Sequence, residues 1–186
     1  WKECDIAYAA TTFFYALPGA TTNREPQPDE ASKPIPQPPP LPPPFKMEGA
    51  IECEDLKVLA KSAGLTVLPQ DMRSFAARTW SGESHLWVQG RKPGDFVELA
   101  IPTGPGPEGK NPVNITLHAT KSWDYGIIRF SVNGTPAPPD HDLFSGQQGK
   151  VLATGPINLG TFTPINGKLT LRAEVVGGNE RAAGTK

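Results

Sequence analysis

The chain has 186 residues, with 18 basic and 19 acidic side chains and a formal charge of -1. So even a balance excludes the clustered cations of a nucleic-acid footprint or a polybasic membrane anchor, and no apolar run reaches the roughly 18–20 residues of a membrane-spanning helix. Its 22 prolines and 19 glycines (41 of 186 residues, or 22%) exclude a mainly helical protein and favour short strands, turns and an extended spacer.

Residues 1–20 are apolar, and Ile6, Tyr8, Thr12 and Phe13-Phe14-Tyr15 suit one or two strands that end at the breaker Leu17-Pro18-Gly19. So short a segment cannot build a core. It is expected to pair with the rest of the chain or with a part of a longer polypeptide. Residues 21–45 read as a linker: ten prolines fall between Pro26 and Pro44. Proline fixes φ and removes the amide donor, so an extended, semi-rigid polyproline II spacer is expected. A ligand for proline-binding grooves is the lesser alternative.

Residues 46–186 read as strands. Val113, Ile115, Leu117 and Ala119 alternate with Asn114, Thr116, His118 and Thr120. Ile128, Phe130 and Val132 do the same and end at the turn dipeptide Asn133-Gly134, and Leu169, Leu171, Ala173 and Val175 form a third such set. Shorter runs lie at 96–101, 151–154 and 157–162. At least six strands with one wet and one dry face predict an all-β fold, an antiparallel β-sandwich. The one helical candidate is short, around Pro69–Ala77. The polar, glycine-rich stretch 177–184 stands where a sandwich usually closes with a strand. Together with the coreless head, it suggests a fragment of a longer protein.

Catalytic chemistry is not expected here. His85, His118 and His141 have no second histidine or cysteine at zinc-ligand spacing, and nucleophile-elbow, phosphate-loop and dinucleotide fingerprints are absent. Cys4 and Cys53 could bridge head to body, but two unpaired thiols are the simpler reading. In a strand, Glu52 and Glu54 would point to one side about 7 Å apart, as hard oxygen ligands for a structural calcium. The competing reading is a charged edge strand. Trp80, Trp123 and Tyr125 sit among Gly, Ser and Asp rather than in apolar runs. With Asp124 they are candidates for stacking on sugar rings and bonding hydroxyls, against core packing as the alternative. Trp87, between Leu86 and Val88, reads as core. Asn114-Ile115-Thr116 and Asn133-Gly134-Thr135 match the glycosylation triplet, a frequent chance pattern.

The head, Glu3-Cys4-Asp5 through Ala7-Tyr8 to Phe13-Phe14-Tyr15, resembles the last strands of a bacterial family once catalogued as a domain of unknown function. That family is now grouped with glycoside hydrolases acting on fructofuranosyl and arabinofuranosyl bonds. The body resembles the β-sandwich appended to such double jelly-roll enzymes, through Lys92-Pro93-Gly94-Asp95-Phe96, Trp123-Asp124-Tyr125-Gly126-Ile127, Phe130-Ser131-Val132-Asn133-Gly134 and Gly155-Pro156-Ile157-Asn158-Leu159-Gly160. It is also similar to galactose-binding-like carbohydrate modules, whose opening Glu-x-Glu strand matches Glu52 and Glu54. The resemblance implies three regions: 1–20 as the stump of an upstream jelly roll, 21–45 as linker, and 46–186 as a sandwich lacking its last strand. It implies a non-catalytic, polysaccharide-binding accessory module of an exported glycoside hydrolase, extracellular or periplasmic. The alternative is an assembly module packed on its catalytic domain or on a second copy.

Overall fold

In the computed structural model, the described residues are 18–21, 29, 39–40, 43–76, 79–104 and 111–183. The chain divides into two compact units, Trp1–Pro43 and Pro44–Lys186. The expected head strands, Cys4 and most of the proline spacer lie outside the described residues. Pro18-Gly19 is a turn, with Gly19 at φ 90°.

The second unit is an antiparallel β-sandwich. Among the described residues it has ten strands: β1 (Lys57–Lys61), β2 (Thr66–Asp71), β3 (Ser84–Gln89), β4 (Phe96–Pro102), β5 (Val113–Ser122), β6 (Gly126–Val132), β7 (Thr135–Pro136), β8 (His141–Asp142), β9 (Val151–Phe162) and β10 (Lys168–Gly178). One sheet of six strands runs in the order β1-β4-β10-β6-β7, with β8 also paired to β6. The pairs β2–β3 and β5–β9 each make a two-stranded sheet.

The alternating apolar residues close this sandwich in two patches. Phe130 and Val132 of β6 and Leu169 and Leu171 of β10 pack with Ile157 and Leu159 of β9, and Ile115 and Leu117 of β5 lie against them. Val97 and Leu99 of β4 meet Leu65, with Val67 of β2, Leu86 of β3, Leu56 and Cys53 packed on that second patch. One inner face of the large sheet is therefore covered by both small sheets. Val132 and Leu169 are fully sealed from water, so truncating either would leave a cavity.

Asn133 and Gly134 adopt φ 51° and 78°, the left-handed pair that a tight hairpin from β6 to β7 requires. The expected strands at 151–154 and 157–162 are one continuous strand, β9. A register shift against β5 between His118 and Thr120 and the positive φ of Gly155 (79°) absorb the Gly155-Pro156 interruption. The expected helix around Pro69–Ala77 does not form as such. Pro69-Gln70-Asp71 completes β2, where Pro69 pairs with Leu86 in an isolated two-stranded ladder that tolerates a missing donor. Only Arg73–Phe75 turns, as a 3-10 helix ended by Ala76 at φ 81°.

The expected strand through Glu52 and Glu54 is also absent. Cys53–Asp55 is a 3-10 turn with Glu52 just before it, so strand alternation does not set the direction of the two carboxylates. Acidic residues crowd that first turn, and its amides are capped by no side chain.

Candidate functional site

The residues singled out from the sequence fall in different turns. Trp80 precedes a 3-10 turn (Ser81–Glu83) that leads into β3, and its indole N–H donates to the Phe75 carbonyl at 2.8 Å. Its polar edge is thus already satisfied inside the protein. Trp123, Asp124 and Tyr125 form the turn between β5 and β6. The Trp123 carbonyl accepts from the Ala183 amide at 3.2 Å, which pins the segment after β10 to this turn. Asp124 is exposed, while Trp123 and Tyr125 are half-buried. Glu52 accepts a hydrogen bond from the Ser81 hydroxyl, which itself accepts from the Met47 amide. Among the described residues no group of three or more His, Cys, Asp or Glu side chains gathers at a point. Cys53 carries a free thiol, pushed up to about 11 by burial and then by Glu54 and Glu52.

Tyr125 leads to a feature that the sequence does not announce. Its phenol hydrogen-bonds to Thr120, and burial raises it above the ordinary tyrosine range against the opposing effect of that bond. Thr120 Oγ1 lies 3.4 Å from His85 Nδ1, and His85 Nε2 lies 2.7 Å from Gln70 Oε1. An acceptor-only carbonyl facing Nε2 places the ring proton there, so Nδ1 is left to accept from the Thr120 hydroxyl. Burial pushes the ring below the usual histidine range. A line of uncharged hydrogen-bonding groups therefore runs from β2 through β3 and β5 to the turn before β6.

These groups lie on one side of the β2–β3 pair. Cross-strand partners are Thr66 with Gln89, Leu68 with Trp87 and Gln70 with His85, and partners on an antiparallel pair share a face. Val67 and Leu86, which alternate with them, point into the core. Hence Leu68, Gln70, His85 and Trp87 occupy the side turned from the large sheet. Leu68 is 40% exposed, and Trp87 opposite it is half-buried.

Three other aromatic rings have a partner. The Arg172 guanidinium lies 3.6 Å over the Phe96 ring while bonding Glu98 at 3.0 Å and Glu174 at 2.8 Å. Arg181 stands 5.2 Å above Phe144, and Phe130 is buried against His141. Asn133, in the second glycosylation triplet, spends its amide on Thr163 and Thr170 (3.0 and 2.9 Å), whereas Asn114 is exposed.

No family model and no curated protein matches the chain. Among solved structures, a Paenibacillus xanthan lyase matches with a TM-score of 0.58 at 20% identity over 77% of this chain. The chain spans only 13% of that lyase's length. This likeness bears on fold: a sandwich of this kind occurs as a small part of a larger enzyme. No helix of the described residues is long and apolar enough to cross a membrane.

Proposed function

We propose that the sandwich is a non-catalytic polysaccharide-binding module, an accessory part of an exported glycoside-active enzyme. The observation that carries this reading is Trp87. It sits opposite Leu68 on the hairpin side turned from the core, beside the Gln70–His85–Thr120–Tyr125 line. Sugar rings stack on such an aromatic face while amides and hydroxyls bond their hydroxyl groups. That a similar fold is found within a xanthan lyase supports a glycan-related role.

The test is retention of the full chain in native gels cast with polysaccharides. Retention lost at least about tenfold in Trp87→Ala and weakened in Tyr125→Phe is the expected outcome, since about 1.4 kcal/mol corresponds to tenfold. Unchanged retention in both variants would remove the site from this face.

An assembly role is the second reading. It is favoured by the exposed Val58 and Leu59 on β1, an outer strand of the large sheet. Sedimentation showing a concentration-dependent dimer, abolished by Leu59→Lys, would support it; a monomer at all concentrations would sink it.

Calcium at Glu52 and Glu54 is a separate proposal. The ion takes roughly six to eight oxygens, so backbone carbonyls or water would complete the shell, and Ser81 competes for Glu52. A rise in unfolding midpoint with calcium, absent in Glu54→Gln, is the supporting result; no rise overturns it.

A further inference from the structure

The charge character of the hairpin side narrows the ligand class. Its three cross-strand rows, Thr66/Gln89, Leu68/Trp87 and Gln70/His85, contain no formally charged side chain. At about 3.3 Å per residue these rows span about 13 Å, enough for more than one sugar ring. Thr120 and Tyr125 extend the surface with two hydroxyls. The histidine is neutral in the arrangement described, its proton directed at Gln70 Oε1.

The charged groups beside these rows are of both signs, with an Asp71–Arg73 pair at one end and Lys61, bonded to the Leu65 carbonyl, and Arg91 beyond the Thr66/Gln89 row at the other. Asp71 and Arg73, at the end of β2, bind each other through contacts of 3.0, 3.1 and 2.7 Å. Lys121 and Asp124 flank Thr120 and Tyr125 with opposite signs. Elsewhere Arg172 is held by Glu98 and Glu174, and Arg129 by Asp140. A ligand rich in carboxylates or phosphates calls for arginine or lysine donors, which give charge-assisted and often bidentate bonds. Placing such an anion against uncharged amides and an aromatic ring would instead cost its desolvation without a counter-charge. Gln70, Gln89, Thr66 and Thr120 both donate and accept, as the hydroxyls of an unsubstituted sugar do.

We infer that the β2–β3 side selects an electrically neutral glycan chain, with Trp87 as the stacking platform and Gln70 as a hydroxyl-bonding side chain. This rests on the glycan-binding reading above. It separates this module from a binder of acidic polymers such as xanthan, whatever enzyme it accompanies.

The experiment titrates the full chain against neutral polymers (arabinan, levan, mannan and β-glucan) and acidic ones (polygalacturonate and xanthan), at low and high salt. The expected result is saturable binding to at least one neutral polymer. Its affinity should change less than about twofold across the salt range, because screening acts on charge–charge attraction. It should fall at least about tenfold in Trp87→Ala and also in Gln70→Ala, a milder variant that guards against a folding defect; thermal midpoints of both are measured alongside. Binding confined to acidic polymers, and weakened by salt, would overturn the neutral class while leaving the glycan reading intact. Neutral binding untouched by both variants would overturn the assignment to this side. No binding to any polymer would overturn both.

Discussion

His85 joins three strands and the turn before β6 through a single ring, and its surroundings fix its protonation. Burial lowers its affinity for a proton relative to the unfolded chain, where an imidazole titrates near 6.5. Below that value the unfolded state therefore binds more protons than the folded one, and stability rises with pH through this window. The unfolding midpoint in urea should decline as the pH drops from about 7.5 to about 5, and His85→Gln should flatten that decline. An equal decline in wild type and variant would show that another group carries it. The same acidification should weaken glycan binding, because a charged ring cannot accept from Thr120. Nothing in the sequence marks His85 for this role. Gln70, Thr120 and Tyr125 are 15, 35 and 40 positions away, and only the pairing of β2 with β3 and the side-by-side approach of β5 bring them together.

The strands were mostly legible because their apolar residues alternate: β5 exposes Asn114, Thr116 and His118 between half-buried neighbours, β6 buries Phe130 and Val132, and β10 buries Leu169, Leu171 and Val175. The failures have local causes. Gly155-Pro156 hid the continuity of β9, and Pro69 suggested a helix start where it is a tolerated strand residue. Glycine also sets how closely strands approach. A Cβ on Gly126 would fall 2.9 Å from the Gly177 carbonyl oxygen, where β6 begins its pairing with β10. Neither backbone can yield without breaking the ladder. Gly126→Ala should therefore cost about 1–3 kcal/mol, read as a lower urea midpoint with an unchanged slope. By contrast Gly149→Ala, in open space though at φ 72°, should cost only its backbone strain. Equal losses in the two variants would contradict the crowding at Gly126.

Across the whole body, two small sheets cover one face of the large sheet, and of the β2–β3 pair it is Val67 and Leu86 that pack into that core. Aromatic residues are legible in a sequence, but which of them share a face is set by strand register. Trp123 and Tyr125 stand out in the sequence because they lie in a polar turn, whereas the place of Trp87 opposite Leu68 follows only from the β2–β3 register. Trp80 matched the pattern of an exposed aromatic but spends its N–H on Phe75. The most direct measurement follows the indole N–H signals of the four tryptophans in a nitrogen-15 spectrum while a bound neutral polysaccharide fragment is titrated in. The Trp87 signal should shift saturably, with Trp80 held in place by its bond to Phe75. A Trp80 shift with Trp87 unmoved, or no saturable shift in any of the four, would contradict a glycan site on this side of the hairpin.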